Sequence, residues 1–462
     1  MAVNSNGVLG SPSPEWLRSL RKTKYSSLPS SVMLLVNPSE RRSFLWKSDF
    51  AHKGRKHWGV FAGLMTNPND FEVGRFIGDY GFMNITSYSS FQSGSFLDGG
   101  RLEDVDSRKY QSDIESLQVQ DVREGPVKIR LYDGRVTQGP KKGTRVMFKV
   151  MGITKLTTFE MENALEETVY PGKWNGGIEA ETMAANELRA HASLQDVAED
   201  VCQNLQILLG GFETSTGEQW LAFQNDGTYS AADYAKVMSE SVSNSQAQRE
   251  WKLWNPFEWK ESIKRRQIFV IKILRGAIHG LAFMHDHDRL HQSLGPASVV
   301  LNTIREKDVA YLVPQVRDLA FSVDIRCSSL ESGPSLLSDA LWHRAARAGA
   351  FNSLEKRTFG IADDIFEAGL LLAYLAFVPF CEAGIMDGPS LQKLLESTFQ
   401  LNMEAVREYC QADECLSEAV NFLDLGGCAG WELLQAMLNP DYRKRPMATT
   451  VLKHRFMTGD VL

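Results

Sequence analysis

At 462 residues the chain exceeds one compact core, so a two-lobed domain with extensions is the expected scale. Hydrophobic residues at 43% and charged residues at 23% are those of a globular protein, and a net charge of -7 excludes a dominant nucleic-acid surface. Six cysteines form no disulfide framework in a chain this long, and Cys410 and Cys415 lack the CxxC spacing and partner histidine of a metal site.

Residues 1–57 are rich in Ser, Arg and Lys and hold only the carboxylates Glu15, Glu40 and Asp49. With Ala at position 2, this composition predicts a cleaved organelle transit peptide, plastid rather than mitochondrial; the alternative is a disordered tail. Residues 71–90, FEVGRFIGDYGFMNITSYSS, predict a strand, a glycine turn and a second strand. Residues 91–125 are polar and acidic, an exposed insertion. Strands resume at VKIRLYDGRV and, after a Gly-Pro-Lys-Lys-Gly turn, at TRVMFKVMG with Lys149 in its middle.

A helix is expected over 179–195, where Ala184, Leu188 and His191 recur at i, i+4 and i+7 and Glu187 sits beside the apolar face. Residues 205–212 and 219–223 predict two further strands, and 227–235 the start of a helix. Residues 238–260 predict an insertion, polar and then aromatic, with Trp251, Trp254, Phe257 and Trp259 around Pro256. A loop folded back on the protein is favoured there over a partner surface. An amphipathic helix follows over 263–285, then a polar loop and the β-branched run Val299-Val300-Leu301. No continuous run reaches the roughly 18 apolar residues of a membrane span. The longest, GLLLAYLAFVPF at 369–380, has the length of a buried core helix.

The helix, loop and strand around LAFMHDHDRLHQSLGPASVVLN resemble the catalytic loop of a protein kinase, H-R-D-x-K-P-x-N, whose Asp is the base and whose Asn holds a metal ion. In that frame stand His291, Gln292, Ser293, Leu294, Gly295, Pro296, Ala297 and Ser298. Ser293 takes the place of the base, Gly295 of the lysine and Ser298 of the metal-holding Asn. Seven pieces fall in kinase order over 71–456. They include VMFK with Lys149, RDLA with Asp318 where a kinase has D-F-G, DIFEAG from Asp364, and WELLQAMLNPDYRKRP with Arg445 at the structural arginine. No A-P-E motif stands between Asp318 and Asp364. The stretches FEVGRFIG, WLAFQNDGTYSAADYA, DLAFSVDIR and LDLGGCAGWELLQAM resemble most closely the plant and algal state-transition kinases of thylakoids, which phosphorylate light-harvesting proteins. That family's membrane span ahead of the kinase domain has no counterpart, so no transmembrane segment is expected.

The resemblance implies an α+β, two-lobed protein kinase-like fold, with an N-lobe over 66–237, the junction insertion over 238–260 and a C-lobe over 261–462. It places Gly78, Ile85, Lys149, Glu187 and Asp318 at the nucleotide, with Glu181 the alternative to Glu187, and Asp318 at the metal. Phe223 backs the pocket and 224–227 form the hinge. Tyr80 and Met83 replace the later glycines of the phosphate loop and crowd it. No catalytic residue is intact. Serine at 293 carries no negative charge, and loss of general-base help alone costs on the order of 10²–10⁴ in rate. Asp286 and Asp288 lie upstream, at the helix end. The expected function is that of a plastid pseudokinase, stromal or peripheral to the thylakoid, acting on protein partners as a binding or regulatory scaffold. ATP and Mg²⁺ bind weakly or not at all on this reading. The alternative is an active ATP-dependent Ser/Thr kinase with non-standard catalytic residues.

Overall fold

The computed structural model describes residues 64–81, 127–153, 180–197, 202–213, 219–227, 229–243, 256–331, 333 and 337–459. Its first half is an antiparallel sheet of five strands in the order β1-β2-β3-β5-β4. These are β1 (Phe71–Gly81), β2 (Val127–Val136), β3 (Arg145–Ile153), β4 (Leu208–Glu213) and β5 (Gln219–Gln224). Alternation along β3 decides what each face carries. Val146, Phe148 and Val150 join Phe71, Phe212 and Trp220 on one side. Lys149 points to the other side, with Leu131 and Leu221 as its cross-strand neighbours.

Helix α1 (Ala180–Val197) packs on that second side. Met183, Ala184 and Leu188 form a small core with Leu208, Leu221 and Phe223, and the helical repeat brings Glu187 and His191 onto the same buried face.

The second half is helical. Helix α2 (Ala231–Ser243) precedes α3 (Pro256–Asp286); α4 (Cys327–Glu331) and α5 (Asp339–Arg347) precede the long α6 (Ser353–Phe377). A capping box starts α6: Asn352 Oδ1 accepts from Glu355 N at 2.9 Å and Glu355 Oε2 from Asn352 N at 3.3 Å. From Phe359 to Phe377 nearly every residue of α6 is buried, as expected of a helix enclosed on all sides. Its apolar residues share one core with Phe269, Ile273 and Leu281 of α3 and with Trp431 and Leu434 near the C-terminus.

Short strands connect the halves. β6 (Tyr229–Ser230) pairs with β8 (Val299–Leu301), which pairs with β9 (Gln315–Val316), while β7 (Arg289–Leu290) pairs with β10 (Val323–Asp324). At the crossing, a Cβ on Gly227 would lie 2.2 Å from Leu301 O, so only glycine permits this approach.

Three details differ from the sequence reading. Gly78 lies inside a strand rather than a turn, because β1 stays paired with β2 from Phe71↔Val136 to Gly81↔Lys128, with two bulges. The glycine with a steric reason is Gly74, where a Cβ would meet Asp133 Oδ1 at 2.4 Å. The junction insertion expected over 238–260 is helical at both ends, since α2 runs on to Ser243 and α3 starts at Pro256. Proline suits the first turn of α3, where its missing N–H is not needed. Among the described residues one helix, Phe257–Asp286, is long and apolar enough to cross a membrane by length and composition. Its charges cluster towards the N-terminal end, which a search for an unbroken apolar run overlooks. Of its most apolar window, 72% is buried within the protein, which accounts for that composition as core.

Candidate functional site

Where the sheet meets the helical half, four charged groups converge. Lys149 Nζ donates to both oxygens of Glu187 at 2.8 Å and to Asp318 Oδ1 at 2.6 Å. Arg317 Nε stands 3.4 Å from Asp318 Oδ2. Lys149 and Asp318 are each 3% exposed and Glu187 1%. Burial raises the Glu187 carboxyl, Lys149 opposes the rise and the Asp318 charge adds to it. Ion pairing this deep is strongly geometry-dependent, and the bidentate contact supplies that geometry.

Asp318 adopts a left-handed backbone, φ 70° and ψ 54°. Its neighbours explain how a non-glycine residue is kept there. Leu319 is buried in the helical core and Phe321 in the core under α1. Asn186 of α1 donates to Ala320 O at 2.8 Å and Ser322 O at 2.9 Å. The sequence reading missed Asn186; its position, one residue before the ion-pairing glutamate, was the available signal.

The loop 291–298 is held from below by α6. Asp364 Oδ1 accepts from the Gln292 backbone and side-chain amides at 2.9 Å; Oδ2 accepts from His291 N and contacts His285 Nε2, both at 2.8 Å. Burial pushes the Asp364 carboxyl up, but hydrogen bonds from His285 and His291 outweigh it and leave the net shift downward. Glu367, one turn on, accepts from Leu294 N at 2.9 Å. Burial and the charges of Asp364 and Asp363 raise it well above the usual carboxylate range.

His291 is fully buried, and burial lowers its affinity for a proton. Its Nδ1 accepts from Ser293 N at 3.2 Å, so Nε2 carries the hydrogen and donates to Arg317 O at 2.9 Å. Ser293 is turned inward too: its hydroxyl donates to Asp318 O at 3.2 Å. Ser298 closes its own turn, accepting from Gly295 N and donating to Gly295 O, each at 2.8 Å. Asp288, upstream, pairs with Arg357.

Of the residues singled out by sequence, Lys149, Glu187 and Asp318 come together, and Ser293 meets them through the Asp318 carbonyl. Phe223 is buried with its ring 5.0 Å from His191. Gly78 is half-buried in β1, with open space where a Cβ would project. Ile85 and Met83, like Trp251 and Trp254, lie outside the described residues, as do the side chains of Tyr80 and Glu181. Arg445 has no glutamate from an A-P-E motif to meet. It donates to Asn439 O at 2.7 Å and Ala362 O at 3.0 Å, over the Phe366 ring. Asp363 is taken by Arg344 of α5 at 2.5 Å.

The described residues do not fit a Mg²⁺ site. Mg²⁺ wants oxygen ligands in octahedral array. Asp318 offers one carboxylate, already facing two cations, and Ser298 turns its oxygen into the loop. Among the described residues no group of three potential metal ligands exists.

A five-stranded antiparallel sheet and a helical half meet at this charged cleft. No protein-family model matches the chain, and no curated protein matches it. Among solved structures it is similar to a Stt7 homolog from Micromonas algae soaked with ATP, with a TM-score of 0.46 and 15% identity, covering 85% of this chain and 93% of that one.

Proposed function

We propose that the protein is a pseudokinase, a kinase-like binding or regulatory scaffold without phosphoryl-transfer activity. The observation that carries this reading is the inward closure of the loop: Ser293 donates to Asp318 O and Ser298 bonds Gly295 at both ends. Phosphoryl transfer needs a carboxylate to orient the attacking hydroxyl and metal ions to neutralise charge. This loop presents two hydroxyls that are already engaged. The acid-poor, serine-rich leader supports a plastid location, and protein partners there are the expected ligands.

Nucleotide meets Lys149 only in competition with two buried carboxylates. Binding is therefore weak or absent and changes little with Mg²⁺. Titration of the purified chain with ATP, with and without Mg²⁺, tests this; tight, Mg²⁺-dependent binding would contradict it. The second reading, an active Ser/Thr kinase with non-standard residues, draws support from the complete Lys149–Glu187–Asp318 group.

A further inference from the structure

Phe351 and Leu354, at the entry to α6, are 72% and 73% exposed, among the most exposed large apolar side chains of the described residues. A residue in the position of Phe351, just before the N-cap Asn352, ordinarily packs on the fourth residue of the helix. Here that residue is Lys356, so the apolar contact has no partner. The backbone is nevertheless fixed. Glu355 Oε2 accepts from Phe351 N and Asn352 Oδ1 from Glu355 N, each at 2.9 Å. Two large apolar groups are thus held out from a rigid corner, which keeps the entropy cost of binding to them low.

The rim of this corner is basic. The turn Tyr442–Lys444 packs against it: the Tyr442 ring lies 5.2 Å from that of Phe359, and a Cβ on Gly349 would stand 3.7 Å from Arg443 Nη2. Arg443 and Lys444 therefore join Arg347, in the last turn of α5, and Lys356, in the second turn of α6. Arg344 and Arg357 are spent on Asp363 and Asp288. Arg347, Lys356 and Lys444 have no carboxylate partner among the described residues. The carboxylates at hand are Glu355 and Asp441, each accepting from a backbone amide, and Asp441 lies 4.0 Å from Arg443. In a chain of net charge -7, this corner has the opposite sign.

We propose that the α5–α6 corner is a docking surface for an acidic protein segment that carries large apolar side chains. Phe351 and Leu354 supply the apolar anchor, and an aromatic ring among arginines is the composition in which binding energy concentrates. The basic rim selects the charge of the partner and speeds encounter with it. None of these residues belongs to the charged cleft, so the surface and its test are independent of whether the chain is a pseudokinase.

The experiment selects a displayed library of random short peptides on the purified full chain, with counter-selection on the Phe351→Ser, Leu354→Ser double variant. Peptides kept by the wild type alone are expected to be rich in Asp and Glu beside Leu, Phe or Trp. One such peptide, titrated by fluorescence anisotropy, should bind at least about tenfold more weakly to Phe351→Ser and to Arg347→Glu with Lys444→Glu. Its affinity for the wild type should fall as salt rises. All of these side chains are exposed, and unchanged thermal unfolding of the variants places the loss at the surface. Selection of basic or uncharged peptides, or of none that the substitutions weaken, overturns the proposal. A concentration-dependent dimer in sedimentation, or binding to vesicles of anionic lipid, that Phe351→Ser abolishes assigns the face to a second copy or to a membrane and overturns it as well.

Discussion

The two walls of the cleft have kept different things. The sheet side holds a complete set of charges, with Lys149 bonded to Glu187 and Asp318. The loop side holds a scaffold, His291, Gln292 and Leu294 anchored on Asp364 and Glu367, with the Ser293 and Ser298 hydroxyls turned inward. The difference separates two uses of buried polar groups. Anchors such as Asp364 satisfy backbone amides that would otherwise be orphaned, and are needed whatever the loop does.

Removing an anchor from either wall should therefore cost stability, and removing a hydroxyl of the loop should cost less. The largest effect is expected from Lys149→Met, which leaves two carboxylates buried side by side. Loss of one partner from a buried pair costs about 3–5 kcal/mol. Urea unfolding should show a matching fall in midpoint, partly recovered when Glu187→Leu is added. No fall would mean the pair is solvated and the sheet wall is not the rigid one.

Asp364→Ala should cost nearly as much, about 3 kcal/mol, through four lost hydrogen-bond contacts. The same urea midpoint measures it. Equal losses at Lys149 and Asp364 would sharpen the view that both walls are structural.

Much of this was legible in the chain. The order of elements, Lys149 on its strand and Glu187 on its helix followed from alternation and helical repeat, because local periodicity records which face is buried. The strand through Gly78 was not legible: its pairing with β2 joins residues far apart in sequence, and such pairing leaves no local trace. Nor was the inward turn of Ser293 and Ser298, since a serine in a loop reads the same whether its hydroxyl faces solvent or a carbonyl. The helical ends of the junction insertion were obscured by polar composition in one case and by Pro256 in the other.

An intermediate effect concerns acid. Burial against the charge of Lys149 lowers His191 to about 3, from an ordinary 6.5. The unfolded chain takes up this proton as pH falls below about 6.5 and the folded protein does not, so stability is full above that value and declines towards pH 3. By pH 5 the loss is of order 2 kcal/mol. His191→Leu should flatten that part of the stability–pH curve relative to wild type. Parallel curves would show that the imidazole is not neutral behind Phe223.

The smallest effect is expected at Ser298→Ala, about 1–2 kcal/mol from the two bonds to Gly295. Nucleotide binding should not change with it. Altered binding would place the Ser298 hydroxyl in the cleft and break the contrast between the walls.

The central claim is that the loop wall performs no transfer. Incubating the purified chain with labelled ATP, Mg²⁺ and a generic protein substrate tests it most directly, with Lys149→Ala and Asp318→Ala alongside. The account predicts background incorporation in all three proteins. Incorporation by the wild-type chain that both substitutions abolish would contradict it.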